Sequence, residues 1–547
     1  MVSYRAAGIS TYPVLLIGAP GYKRGFNPFM QHSVFHNEPS NINILKMKIF
    51  LFLCCLLPFG NSALKFNNYF ESGMMLQRNV KNRIWGYGTL AKEQFVVECV
   101  IKNGEKNRTV YQPTQVAEDV WEVLLTEESE NTICSFEVSD GELRLENVLY
   151  GDIWICSGQS NMEQAMLDIE NATDEINASE EYRDRIRFTI VTNQDLGEID
   201  DNYDQTHSLP WSPAEDLESL QSMSAICFLF ARSVYNATKI PQGLVSADWG
   251  GSPIESWSKQ ETLNECGIPA ASVNDWPHST LWNGMINPLK RNAVTGFLWY
   301  QGESNGELNR DLYNCTFPAM ISDWREEFST NSATSPEAPF GFVQLSTWRP
   351  NSTDAGFPVI RWHQTADVGY VPNDLMKNVF MSSPLDTFDP ADGLHPVYKQ
   401  IAAKRLAIAG LHVAYGFTDL PTNGPFPIII ALDQPGKEPG DLVFVAYDQD
   451  FEYLDVEISG FYYCSSGPAE CDAGSNTNSW IEIPKEDVRQ HQDDQRTIII
   501  DLSGFSNVHE GSIGYLWRET PVKKLLGLPI YAADDFKLPS PPWKMKI

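Results

Sequence analysis

From Gly151 onward the chain alternates short apolar runs, which end in turns rich in glycine and serine, with helical stretches. The runs are Ile153–Cys156, Ile186–Val191, Leu244–Ala247, Gly296–Tyr300, Phe340–Leu345 and Val379–Met381. Met223–Thr238 and Pro396–Tyr415 are the clearest helices; the second opens on a proline and is rich in alanine, which suits a first turn and a helix interior. Strands separated by helices predict a parallel sheet covered on both faces, an α/β fold. Such a sheet takes its ligand at the carboxyl ends of the strands. The turns after these runs are therefore where chemistry is sought.

The flanks have a different texture. Between about Leu64 and Leu149 short strands alternate, as in Phe95–Val100 and Val120–Leu125, with turns rich in Asn, Gly and Glu between them. After Gly416 a connector bearing proline and glycine leads to strand-like Leu442–Tyr447, Tyr453–Ile458, Thr497–Leu502 and Ile513–Trp517. A chain of 547 residues is too long for one core. The expected division is an N-terminal β-rich module over 64–150, an α/β domain over 151–416 and a C-terminal β-rich module over 417–547. Upstream, Met47-Lys48 opens the apolar run Ile49–Leu57, and the small residues Ser62 and Ala63 follow. That is the build of a secretory signal peptide over 47–63, too short to span a bilayer. Residues 1–46 are then read as an extension upstream of the true start at Met47.

A net charge of −31 repels phosphate backbones and anionic lipid, so neither nucleic acid nor a membrane surface is an expected partner. Sequons at Asn107, Asn171, Asn177, Asn236, Asn314 and Asn351 join the leader in predicting passage through a glycosylating compartment, with a secreted or lysosomal destination. Cysteines fit that oxidising route. Closeness suggests Cys464 with Cys471, and shared domain membership suggests Cys99 with Cys134. Cys156 and Cys227 sit in apolar runs and read as buried thiols. No Cys or His cluster has zinc spacing, so no metal is expected.

The densest chemical signal runs from Gly151 to Met162: an apolar strand, a Ser-Gly-Gln-Ser turn, then a helix start. Ser160 would present its hydroxyl at the strand end, with its N–H near the positive end of a helix, where developing negative charge is stabilised. Met162 stands where the nucleophile elbow of α/β-hydrolases has its second glycine, so this is a different turn. Read alone, the same serine serves equally as a helix cap. A serine nucleophile requires a base and an orienter for that base. Asp392-Gly393-Leu394-His395-Pro396 offers both across one turn, with His363 as the rival base. Two further turns follow predicted strands: Asp248-Trp249-Gly250-Gly251, whose glycines could offer an unobstructed N–H, and Gln301-Gly302-Glu303, whose amide could add a donor.

Taken in order, Cys-Ser-Gly-Gln-Ser-Asn-Met, Trp-Gly-Gly-Ser-Pro-Ile-Glu-Ser-Trp, Trp-Tyr-Gln-Gly-Glu-Ser-Asn and Asp-Gly-Leu-His-Pro resemble the blocks of SGNH (GDSL-like) hydrolases. With Arg361-Trp362-His363-Gln364-Thr365-Ala366-Asp367 and Tyr515-Leu516-Trp517-Arg518, the chain from about Leu64 to its end is similar to the sialate O-acetylesterase family, a carbohydrate acetylesterase branch. The resemblance implies an SGNH-like three-layer α/β/α domain. It implies Ser160 as nucleophile, His395 as base and Asp392 as its orienter. The N–H groups of Ser160 and Gly251 and the side chain of Gln301 would form the oxyanion hole. Gln159, Asn161, Trp249, Glu303 and His363 are candidates for the substrate pocket. The implied substrate is an O-acetylated sialic acid or sialoglycan, hydrolysed through an acetyl-serine with no cofactor. Two departures from the wider superfamily stand out: Gln159 replaces the usual Asp, and Gln301-Gly302-Glu303 replaces Gly-x-Asn-Asp. The alternatives are an acetylesterase for another glycan, such as acetylated xylan, and a silent glycan-binding protein, against which the intact Ser160, Asp392 and His395 set argues.

Overall fold

The strand Leu143–Gly158 organises the molecule. In the computed structural model, which describes residues 63–101, 104–138, 143–200, 204, 206–269, 276–391, 393–433, 441–472 and 476–547, it lies at the centre of a sheet. Strands Gln242–Asp248, Ile186–Val191 and His207–Pro213 lie successively to one side of it, and Gly296–Tyr300, Phe340–Val343 and Val379–Ser382 to the other. All these pairings are parallel except that of the edge strand His207–Pro213, which the sequence pattern did not signal. The chain lays down Ile186–Val191 and His207–Pro213 on one side, returns with Gln242–Asp248 to fill the place beside the central strand, then crosses to the other side. That reversal opens a crevice beyond the strand ends. Register brings the crevice walls level: Gly158 pairs with Asp248 on one flank and Tyr300 on the other.

Strand alternation sends successive side chains to opposite faces. Ile153 and Ile155 join a core with Trp257, Trp282 and Trp324, whereas Trp154 and Cys156 join one with Phe228, Phe230 and Leu406. Helices Ala225–Thr238 and Lys399–Tyr415 cover the second face and pack against each other. The first is capped by the Ser224 hydroxyl, and the second ends at Gly416 in the left-handed conformation. The second starts at Lys399 and not at the expected Pro396. Two carbonyls of that segment are already used: Pro396 O accepts from Lys399 Nζ and Val397 O from Glu170 N–H.

One other expectation is corrected: Cys156 and Cys227 are not thiols. The boundary expected between 150 and 151 lies on one continuous strand that both regions share. Its first half pairs with Ile133–Val138 and Met75–Gln77 of the N-terminal region, its second half with the parallel sheet. Cys156 and Cys227 are bonded to each other, joining the central strand to the Ala225–Thr238 helix; apolar surroundings bury a disulfide as readily as a thiol. Cys99–Cys134, Cys266–Cys315 and Cys464–Cys471 are bonded as well. The leader as far as Ser62 and the residues before it lie outside the described residues.

The C-terminal region is β-rich and has its own core of Val443, Val445, Ile498, Ile500, Tyr515 and Trp543. Buried charge fastens it to the parallel-sheet region. Arg405 grips Asp386 with two bonds of 2.6 and 2.8 Å, and Asp386 also accepts from the Tyr531 hydroxyl at 2.7 Å. Arg361 donates to the carbonyls of Leu345, Ser346, Arg518 and Glu519. Among the described residues no helix is long and apolar enough to cross a membrane.

Candidate active site

Ser160 follows the central strand through a turn that only glycine permits. Gly158 has φ +137°, and a Cβ there would lie 2.2 Å from the carbonyl oxygen of Tyr300. The helix after the turn is one turn long, Ser160–Glu163, and its cap residue is Gln159. The serine hydroxyl is therefore not used as a cap, and no long helix stands behind its amide. The hydroxyl instead meets His395, with Oγ 2.9 Å from Nε2 across 235 positions of sequence.

Around this pair stand two amide donors. Gly251, in the left-handed conformation (φ +79°), follows Gly250, whose N–H donates to Glu163 Oε2 at 2.8 Å. Among the described residues nothing accepts from the N–H of Ser160 or Gly251. Gln159 Oε1 accepts from the amides of Ser304 (3.2 Å) and Gly302 (3.4 Å), holding the neighbouring turn in place. The Glu303 carboxyl, on that turn, accepts from Asn161 Nδ2 at 2.6 Å. Burial pushes this carboxyl above the usual range, while Asn161 and the charges of His395 and Lys399 pull it back.

These groups open onto a cleft of about 630 Å³ lined by Gln159, Ser160, Gly251, Glu303, Leu394 and His395, with Trp276 and Trp348 as its aromatic walls. Neither tryptophan was singled out in the sequence, because both lie on irregular segments with no period to mark them. Trp249, expected in the pocket, instead packs edge-on behind Trp276, with ring centres 5.4 Å apart. Trp348 is stacked between Phe357 and the Arg349 guanidinium.

Several expected site residues stand elsewhere. Gln301 is wholly buried; its Nε2 donates to Asn305 Oδ1 (2.7 Å) and Ser252 O (3.2 Å), and its Oε1 accepts from Tyr313. Both amide hydrogens are thus engaged, and Gln301 is no oxyanion donor in this arrangement. His363 is buried outside the cleft, 2.5 Å from Asp367, which also binds Asn314. It is neither the base nor a wall of the cleft. Asn161 sits behind Ser160, buried. Asp392 lies outside the described residues. Of the sequons, Asn107, Asn171, Asn177, Asn236 and Asn351 are exposed, whereas the Asn314 amide that a glycan would need is spent on Asp367 and its Thr316 is buried.

Residues 150–395 match the family described as carbohydrate esterase, sialic acid-specific acetylesterase, and residues 437–547 match the sialate O-acetylesterase C-terminal domain. Sialate O-acetylesterase of Homo sapiens is 39% identical over 394 residues, covering 67% of this chain and 74% of that protein. The protein of the same name from Mus musculus is 33% identical over 535 residues, covering 88% and 94%. A crystal structure of a carbohydrate acetylesterase from Xanthomonas citri superposes with a TM-score of 0.70 at 22% identity, covering 88% of this chain and 99% of that one. At that identity the likeness speaks for the fold alone.

Proposed function

The chain belongs to the sialate O-acetylesterase family, and on that premise we propose that it hydrolyses O-acetyl esters of sialic acids with Ser160 as nucleophile and His395 as base. The observation that carries the reading is the 2.9 Å approach of Ser160 Oγ to His395 Nε2 inside the cleft. In the first step the serine oxygen attacks the acetyl carbonyl while Nε2 takes its proton. The carbonyl oxygen becomes an oxyanion, received by the N–H groups of Ser160 and Gly251. The imidazolium returns the proton to the departing sugar oxygen, leaving acetyl-serine. Water, deprotonated by the same nitrogen, attacks that ester and frees acetate and the serine hydroxyl.

Asp392, three residues before the base, is the proposed orienter, fixing the imidazole with its proton on Nδ1. The Glu303 carboxylate adds negative charge near the imidazolium. The sheet with a core on each face supports an SGNH-like three-layer arrangement, and the exposed sequons support a secretory route ending in secretion or the lysosome. The test is acetate release from an O-acetylated sialoside by the wild-type chain and by Ser160→Ala. Equal rates would remove Ser160 from the chemistry.

A further inference from the structure

A buried cation stands behind the reacting pair, and none of the hydrolytic steps uses it. Lys399 is 2% exposed. Its Nζ donates to Asn161 Oδ1 at 2.9 Å and to the Pro396 carbonyl at 2.7 Å. Asn161, 1% exposed, in turn gives Nδ2 to Glu303 Oε1 at 2.6 Å and to the Leu394 carbonyl at 2.9 Å. An ammonium only donates and a carboxylate only accepts. The chain of bonds therefore has one polarity: the Asn161 oxygen must face Lys399 and its nitrogen must face Glu303. A flipped amide would set donor against donor and acceptor against acceptor. Each link also touches the chemistry. Asn161 follows Ser160, Leu394 and Pro396 flank His395, and Glu303 lines the cleft.

We propose that Lys399 is a positioning residue which locks the Asn161 amide, and through it holds the serine turn, the histidine loop and the Glu303 turn in one register. The inference rests on the hydrolytic reading above. Removing the ammonium leaves the Asn161 oxygen without its donor, so the amide is held from its nitrogen side alone and its grip on the Leu394 carbonyl beside the base loosens. It also strips a positive neighbour from the Glu303 carboxyl. The other charged or titratable groups facing that carboxyl are His395 and the phenols of Tyr300 and Tyr313. Glu303 then takes up its proton at higher pH.

The test uses the full chain and an acetate ester, comparing wild type with Lys399→Met and Lys399→Arg. Lys399→Met should lose up to about 10²-fold in kcat with KM little changed, as misplacement of a reacting pair costs. Its acid limb should move to higher pH, and Lys399→Arg, which keeps the charge, should recover part of both. A folded Lys399→Met with wild-type kcat and pH profile overturns the inference. Where that variant does not fold, Asn161→Ala carries the same expectation, and the same result overturns it. Wild type inert on acetate esters sinks the hydrolytic reading and this inference with it; active wild type with unchanged variants sinks the inference alone.

Discussion

Gly250 donates its backbone N–H to Glu163 Oε2 at 2.8 Å, so the turn carrying Gly251 is tied to the last residue of the serine's own helical turn. The two amides proposed to receive the oxyanion are thereby held as a unit. A Cβ on Gly250 would lie 2.6 Å from that carboxylate oxygen and 3.4 Å from the Ser160 Cβ. That oxygen is the mobile end of a long side chain, so Gly250→Ala should swing the carboxylate off the Gly250 N–H and untie the two turns. It should lower kcat by at most about 10²–10³, the worth of one oxyanion donor, with KM nearly unchanged. Glu163→Ala should show a smaller loss of the same kind. Steady-state acetate release decides; wild-type kcat in Gly250→Ala would mean that the Glu163 tie does not position the two amides.

Replacing the proposed nucleophile should be far more severe. Ser160→Ala is expected to lose about 10⁶-fold in kcat while melting like the wild type, and Asp392→Asn about 10⁴-fold through the wrong imidazole tautomer. Labelling of Ser160 by a serine-reactive phosphonate should slow in Asp392→Asn. Undiminished labelling and turnover there would assign the orienting role to another carboxylate.

Gln301 offers a separation of stability from chemistry. Its side chain bonds Asn305, Ser252 and Tyr313 with no exposure to solvent. Gln301→Ala leaves buried polar groups without partners, each costing about 1–3 kcal/mol. The melting temperature should therefore fall by several degrees, with loss of activity following the loss of folded protein. A variant as stable as the wild type but about 10²-fold slower would restore the oxyanion role to Gln301.

How far the sequence carried these conclusions depended on whether the signal was periodic. Apolar runs such as Ile186–Val191 and Gly296–Tyr300 became strands of those bounds, because a buried parallel strand needs a continuous run and little else. The Ser160 turn was legible because Gly158 is sterically obligatory. The strand that joins the two regions was not, since hydrogen bonding continues through Tyr150 and Gly151 although the texture of the sequence changes there. The Cys156–Cys227 bond depends on which face of the strand each residue occupies, and Trp276 and Trp348 reach the cleft from segments without pattern. Gln301 was misread for a related reason: a side-chain amide has one chemistry in sequence, but its neighbours decide whether its hydrogens are free. Lys399 could have been suspected from its place four residues beyond the candidate base, though only three-dimensional bonds show it turned inward.

Asp248 gives a pH dependence whose direction is set by burial. It ends the strand before the Gly250–Gly251 turn, is 8% exposed, and accepts from Ser246 Oγ at 2.5 Å. Burial, opposed by that hydrogen bond and reinforced by the nearby negative charge of Glu163, pushes its carboxyl up to about 7. An unfolded aspartate ionises near about 3.9. Between these values the folded chain holds a proton that the unfolded chain has lost, so this group makes the fold less stable as pH rises through the window. Above it the cost levels off at up to about 4 kcal/mol. Asp248→Asn keeps an acceptor for Ser246 but has no proton to lose. Thermal melts should show the two chains alike near pH 4, with Asp248→Asn gaining steadily over the wild type up to pH 8. A gap that stays constant with pH would mean that Asp248 is ionised in the fold, and that the turn after it is held by charge instead of by a neutral acid.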